Sequence, residues 1–183
     1  MYDIDKAGRA EIAKTALGEV GVLEVGGNNK GPRVLEYQRA TWLTPAPWPW
    51  CAAFVCWVIR EWAPRRISFR SQAAFNQWRP RTAGAIDFEN WAKDRGARVL
   101  ASHEAAEAGD IVTFKFGHVG IVVADAAESA NGIRTVEGNT GPEGLRDSDS
   151  GDGVFAKVRP RDVIRKFIRM VPATASANHE AKS

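Results

Sequence analysis

The stretch Pro49–Trp62, PWCAAFVCWVIREW, decides the fold of this 183-residue chain. Its apolar side chains recur at helical spacing, at Cys51, Phe54, Val55, Val58, Ile59 and Trp62. This spacing predicts a helix with one continuous apolar face. Cys51 heads that face, and Cys56 is predicted to lie off it. Because the prolines of Leu43–Trp50 forbid helix, the helix should begin close to Cys51.

The rest of the chain divides into a helical half and a strand half. Helical periodicity predicts helices over residues 5–20, 32–42 and 88–95. Asp3 or Asp5 is expected to cap the first of them. Strand patterns follow over residues 110–116, 119–124, 133–137, 154–158 and 166–171. Helices first and strands second indicate a single α+β domain over residues 1–171. Residues 172–183 are small and polar, and we expect a flexible tail there.

The composition is that of a globular protein. Apolar residues make up 44% of the chain and charged residues 26%, which excludes a disordered chain. The net charge of +3 is mild. Basic residues form two clusters, Arg60, Arg65, Arg66 and Arg70, then Arg159, Arg161, Arg165, Lys166 and Arg169. Since no nucleic-acid motif accompanies them, we interpret them mostly as solvated faces and expect no nucleic-acid partner. Attraction to an anionic bacterial envelope is a secondary interpretation.

The N-terminus lacks an apolar run of the length that a signal peptide needs. No stretch of the sequence approaches the unbroken apolar length of a transmembrane helix. We therefore expect a soluble protein, made in the cytoplasm without a signal peptide and without stable membrane insertion.

The two cysteines, Cys51 and Cys56, lie five residues apart in the predicted helix. That spacing turns the side chains away from each other, so we expect no disulfide. Two thiols are also too few for a zinc site of thiolates alone. A thiol attacks an amide as the thiolate, which a helix N-terminus and a nearby imidazolium both favour. Cys51 has the first of these by its position.

Three histidines are candidates for the imidazole: His103, His118 and His179. His179 lies in the tail, and the polar surroundings of His103 indicate an exposed surface residue. His118 begins an apolar strand, which would hold its ring rigidly as a general base requires, although a structural histidine is an equal alternative. Glu137 or Asn139, at the end of the next strand, could orient the ring. Taken alone, Glu137 is better interpreted as a surface carboxylate.

Four motifs in this order resemble the CHAP family, the cysteine, histidine-dependent amidohydrolases/peptidases. They are Pro49–Trp57, Gly109–Phe114, His118–Val123 and Val136–Thr140. Upstream, Glu24–Gly31 and Val34–Tyr37 are similar to the N-terminal part of the family. The resemblance extends over about residues 10–171.

The resemblance implies a papain-like α+β fold, with N-terminal helices packed on a small antiparallel β-sheet. It places the nucleophile on Cys51, the base on His118, the acidic orienter on Glu137 and a polar fourth residue on Asn139. Cys56 matches a packing position. The implied reaction is cleavage of amide bonds in the peptide part of peptidoglycan, by N-acetylmuramoyl-L-alanine amidase or endopeptidase activity.

The segment before Cys51 departs from related enzymes in two ways. Papain-like proteases often carry a glutamine there that donates to the oxyanion, but Pro45–Pro49 holds no such amide side chain. Some CHAP enzymes carry an acidic calcium loop there, but Thr41–Trp50 holds no Asp or Glu. We therefore expect no metal at that site and no cofactor. Three tryptophans, Trp42, Trp48 and Trp50, either line a substrate groove or pack under the nucleophile helix, with equal weight.

A catalytic domain without a signal peptide resembles a compact phage endolysin. Such an enzyme would reach the cell wall or periplasm only after release, with peptidoglycan as its partner, and we expect a monomer. A secretion-system antibacterial effector amidase is the rival within the enzyme class. The rival outside it is a non-catalytic cell-wall-binding protein with the same fold, which the intact Cys51, His118 and Glu137 disfavour.

Overall fold

The computed structural model describes residues 4–95, 97–126, 132–143 and 152–170. Its helices are α1 (Lys6–Leu17), α2 (Pro32–Gln38), α3 (Cys51–Trp62), α4 (Gln72–Trp78) and α5 (Asp87–Asp94). Its strands are β1 (Arg98–Ala101), β2 (Ile111–Phe114), β3 (Val119–Val122), β4 (Ile133–Thr140), β5 (Gly153–Arg159) and β6 (Ile164–Arg169). The helices precede the strands, and the predicted α+β class is confirmed.

The strands form one antiparallel sheet in the order β1-β6-β2-β3-β4-β5. β3 and β4 are neighbours, with Ile121 opposite Val136. His118 directly precedes β3, and Glu137 lies within β4. The pairing of these two strands therefore brings the imidazole and the carboxylate to the same part of the sheet.

α3 is the central helix of the molecule. It starts at Cys51, where the proline-containing segment ends, and packs against α1, α2, β3 and β4. Every residue from Cys51 to Ile59 is buried, so the helix is enclosed on all sides. Cys56, which lies off the apolar face that Cys51 heads, is therefore buried too, because the opposite face of α3 is also covered.

Several boundaries differ from the sequence prediction for local reasons. Asp5 caps α1 by accepting the Gly8 N–H at 2.6 Å, which settles the choice between the two aspartates. α2 ends at Gln38 instead of running on to residue 42. The Gln38 side chain donates to Ala46 O at 2.7 Å and Trp48 O at 3.2 Å, and so fixes the loop that leads to Cys51.

The sequence patterns do not predict two of the elements, α4 and β1. α4 begins after Ser71, whose hydroxyl accepts the Ala74 N–H, and has only seven residues. β1 has four residues and pairs with β6 at one edge of the sheet. Neither is long enough to show a clear period. The predicted tail at residues 172–183 lies outside the described residues.

Candidate active site

Cys51 is the first residue of α3, and its helix end has no side-chain cap. The first hydrogen bond of the helix runs from the Phe54 N–H to Trp50 O at 2.9 Å. The N–H groups of Cys51, Ala52 and Ala53 therefore lie ahead of the helical ladder. They make a region of positive potential that favours a thiolate or a developing oxyanion. Cys51 retains 8% of its surface for contact with solvent.

Cys56 has the opposite environment. Its thiol is fully buried and donates to Thr82 O at 3.4 Å. Burial raises the pKa of Cys56 to about 12, so this thiol stays protonated at neutral pH. Both cysteines are free, as predicted from their spacing.

His118 is held in a closed environment between aromatic rings and charged groups. Only 1% of the residue is exposed, and its ring stacks on Phe114 and Phe116 with centroids 5.8 and 5.9 Å away. Cys51 lies close enough to the ring to interact with its charge. Burial opposes the charged imidazolium, but the Cys51 thiolate and the Glu137 carboxylate raise the pKa of His118 to about 9. The imidazolium therefore persists at neutral pH.

Glu137 is a fully buried carboxylate, contrary to its interpretation as a surface residue. Its Oε2 lies 3.2 Å from His118 Nε2, an ion-pair distance without hydrogen-bond alignment. Arg159 donates to it through Nε at 2.9 Å and Nη2 at 2.6 Å, and the Thr135 hydroxyl donates at 2.6 Å. Burial opposes ionisation, but Arg159 and His118 lower the pKa of Glu137 to about 2.

The alternation of β4 explains why Glu137 points away from α3. Its neighbour Val136 belongs to the core beneath the helices, and Gly138 lies against Trp50 and Phe54 of the helix end. Glu137 therefore faces the other side of the sheet. There it passes over Gly120 of β3, where a Cβ would come within 2.7 Å of Glu137 Cγ. Gly120 leaves the space through which the carboxylate reaches His118.

Asn139 connects the end of β4 to the start of α3. Its Oδ1 accepts the Trp50 N–H at 2.7 Å, and its Nδ2 donates to Asn29 Oδ1 at 3.0 Å. Asn139 has a φ of 59°, a left-handed conformation that asparagine tolerates better than most residues. These two hydrogen bonds thus hold Trp50, the residue before Cys51.

The three tryptophans have different environments. Trp50 is fully buried, stacks on Tyr37 at 5.3 Å and donates from Nε1 to Glu24 Oε1 at 2.8 Å. It packs under α3 and has no surface to offer a substrate, which corrects its assignment to a groove wall. Trp48 is half-buried, and Trp42 is 67% exposed. Substrate contact by Trp42 and Trp48 stays a prediction.

The partners of the Glu137 carboxylate do not follow from the sequence. The prediction of a solvated face is wrong for Arg159 and Arg169, because both are buried and paired with carboxylates. Neither the pairing of β4 with β5 nor the role of Thr135 follows from spacing alone. His103 is exposed, as predicted, and His179 lies outside the described residues.

Within the described ranges, no group of three or more His, Cys, Asp or Glu side chains could hold a metal ion. Nor does any described helix combine the length and the apolar character needed to cross a bilayer.

A thiol at an open helix end, a buried imidazole and a buried carboxylate form the constellation of a cysteine hydrolase. The family model of the CHAP domain matches residues 43–139, just over half of the 183 residues. The chain belongs to the CHAP domain family, whose members are cysteine- and histidine-dependent amidases and peptidases that act on peptidoglycan. Comparison with curated proteins and with solved structures gave no significant match.

Proposed function

We propose that this protein hydrolyses amide bonds in the peptide part of peptidoglycan, with Cys51 as the nucleophile. One observation carries the proposal: Cys51, at an uncapped helix end, lies within reach of the buried His118, which also meets the buried Glu137. In this arrangement His118 is the general acid and base, and Glu137 orients its ring and stabilises its cation.

Acylation begins when the Cys51 thiolate adds to the carbonyl carbon of the scissile amide. The carbonyl oxygen becomes an oxyanion, which the Cys51 N–H at the helix end is placed to hold. Collapse of this intermediate breaks the C–N bond and leaves a thioester on Cys51. The proton of the His118 imidazolium goes to the departing amine, which leaves His118 neutral.

Deacylation uses the same groups in reverse. Neutral His118 takes a proton from water, and the hydroxyl oxygen adds to the thioester carbonyl. The C–S bond then breaks, which releases a carboxylic acid and restores the thiolate beside the imidazolium. Asn139 supports both steps by holding Trp50, and with it the start of α3.

The biological setting that we propose is that of an endolysin-type bacteriolytic enzyme, which works as a monomer on the cell wall after its release from the cytoplasm. The secretion-system effector uses the same chemistry, so gene context separates the two. A neighbouring holin gene would favour the lysin, and a neighbouring immunity gene the effector.

The test is digestion of purified peptidoglycan, with mass spectrometry of the soluble products. The wild-type protein should release fragments with new amine and carboxylate ends, and their masses distinguish amidase from endopeptidase cleavage. Cys51→Ala should release none. Cys56→Ala is the matched control, because it removes the buried thiol that donates to Thr82 O, and it should retain the activity if it folds.

Persistent release of fragments by the Cys51→Ala protein would exclude the proposed mechanism. A non-catalytic wall-binding protein would instead bind peptidoglycan without cleaving it. Its Cys51 would also react with iodoacetamide at mildly acidic pH no faster than an ordinary thiol.

A further inference from the structure

Glu137 makes its best-aligned contacts with groups other than His118. Two nitrogens of the Arg159 guanidinium donate hydrogen bonds to the two carboxylate oxygens, at 2.9 and 2.6 Å. Thr135, two residues earlier on β4, donates to Oε1 at 2.6 Å. The His118 contact is longer, at 3.2 Å, and lacks hydrogen-bond alignment. The position of the carboxylate is therefore determined mainly by Arg159 and Thr135.

Arg159 reaches this position from the end of β5. It pairs with Ile133 at the start of β4, and its guanidinium lies 5.5 and 5.6 Å from the ring centres of Phe114 and Phe116. Those same two rings stack on His118. The Arg159 side chain is only 7% exposed, so it offers a substrate almost no surface.

We propose that Arg159 is a positioning residue of the hydrolytic site, which keeps the Glu137 carboxylate ionised and turned toward His118. This inference rests on the proposed function for its role in catalysis. A buried carboxylate without a cation is unfavourable, and a bidentate guanidinium fixes both its charge and its orientation. Arg159 lies beyond residues 43–139, the part of the chain that matches the CHAP domain family.

Other charged groups also interact with the Glu137 carboxylate and influence its pKa. His118 and Arg159 contact it, and Cys51 lies next to His118. Lys157, on β5, interacts with Glu137 at longer range, and its Nζ donates to Pro142 O at 3.0 Å. Of these cations, Arg159 is the one that donates a hydrogen bond to each oxygen of the carboxylate. Its loss should therefore let Glu137 take up a proton at a higher pH.

The primary test compares the wild type with Arg159→Met and Arg159→Lys in substrate-free protein. The rate of Cys51 carboxymethylation by iodoacetamide is measured from pH 4 to 9, with mass spectrometry to separate Cys51 from Cys56. In Arg159→Met, a protonated Glu137 no longer stabilises the imidazolium, so the reaction at mildly acidic pH should slow by roughly 10-fold. Arg159→Lys keeps the charge and should restore part of the rate.

The second readout is turnover of a soluble peptidoglycan fragment. Arg159→Met should lower kcat roughly 10- to 100-fold, the range known for residues that orient the ligands of a metal site, with KM within twofold of wild type. The acid limb of its pH–activity profile should move to higher pH. If the wild type alkylates as expected but cleaves no fragment, the proposed function fails while the inference about Arg159 stands.

Two further variants separate positioning from folding. Arg169→Met is the matched control, because Arg169 is also a buried arginine that grips a carboxylate, that of Asp110, outside the candidate site. Its alkylation profile should match that of the wild type. If Arg159→Met does not fold, Glu137→Gln is compared with Glu137→Gln/Arg159→Met, in which no buried charge is left unpaired. A residue that acts through Glu137 should add less than a twofold loss in that background.

Three results would overturn the proposal. One is an unchanged alkylation profile and turnover in folded Arg159→Met. Another is a rise in KM without a shift of the acid limb, which would indicate substrate contact. The third is a full additional loss of activity when Arg159→Met is combined with Glu137→Gln.

Discussion

At the scale of single residues, His118 is buried between Cys51, Glu137 and two aromatic rings. Burial lowers the pKa of His118, but the negative charges of Cys51 and Glu137 outweigh it and raise the pKa to about 9. A raised pKa means that the imidazolium, which we propose as the proton donor to the leaving amine, is present below that pH and is lost above it. We therefore expect kcat/KM to hold up to about pH 9 and then to fall about tenfold per pH unit. Initial rates on a peptidoglycan fragment from pH 6 to 10.5 measure this alkaline limb of the pH profile of kcat/KM.

Glu137→Gln is the control for that profile. It removes the carboxylate that raises the pKa of His118, and the alkaline limb should move to lower pH as kcat falls. An alkaline limb that stays at the same pH in Glu137→Gln would mean that another group controls it.

Gly120 provides a second prediction at this scale. An alanine Cβ there would lie 2.7 Å from Glu137 Cγ, closer than real contacts allow, and 3.0 Å from Val136 O, tighter than most real contacts. Gly120→Ala should therefore displace the carboxylate from His118 and reduce kcat/KM more than tenfold. Gly18→Ala is the matched control, because its Cβ would meet nothing closer than 3.5 Å. Its kcat/KM should equal that of the wild type, and equal activity of Gly120→Ala would contradict the prediction.

At the scale of elements, one amide links the end of β4 to the residue before α3. Asn139 accepts the Trp50 N–H while its backbone is left-handed, at a φ of 59°. Asn139→Ala leaves that buried N–H without its acceptor and strains the backbone. The free energy of unfolding should fall by about 3 kcal/mol. Urea unfolding measures this loss, and kcat should fall with it because the start of α3 is no longer held.

Asn139→Gly separates the loss of the hydrogen bond to Trp50 from the strain of the backbone. Glycine takes the left-handed conformation without strain, so it should recover about 1 kcal/mol relative to alanine and should not recover kcat. If Asn139→Gly were as active as the wild type, the bond to Trp50 would have no part in positioning Cys51.

The elements differ in how far the sequence could predict them. α3 was predictable to within one residue, because its apolar spacing is long and prolines mark its start. β4 was predicted to end at Glu137 but runs to Thr140, because Gly138 and the left-handed Asn139 are accommodated in an irregular pairing with β5. α4 and β1 depend on tertiary contacts more than on local pattern.

At the scale of the whole molecule, the candidate site is assembled from three separate parts of the chain. The matched region, 43–139, holds Cys51, His118, Glu137 and Asn139. Asn29 comes from the segment before it, and Arg159 from the last residue of β5 after it. The four residues of the matched region could be proposed from motifs. Their partners could not, because the sequence does not reveal the register of β5 against β4 or the path of residues 18–31.

The ion pair between Glu137 and Arg159 should also set part of the acid stability of the molecule. The folded protein lowers the pKa of Glu137 from 4.5 to about 2, so its carboxylate stabilises the fold at neutral pH. Because the pKa is depressed, that stabilisation is complete above about pH 4.5 and is lost as the pH falls through about 2. The shift corresponds to about 3 kcal/mol.

Urea unfolding between pH 7 and pH 2 tests this value when the wild type is compared with Glu137→Gln/Arg159→Met. The double variant lacks the pair, but it keeps the other buried carboxylates, such as Asp110 with Arg169, whose titration cancels in the comparison. The difference in unfolding free energy between the two proteins should therefore shift by about 3 kcal/mol, against the wild type, between pH 5 and pH 2. Parallel pH dependences in the two proteins would show that Glu137 is not held as a carboxylate by the fold, and the role assigned to Arg159 would fall with it.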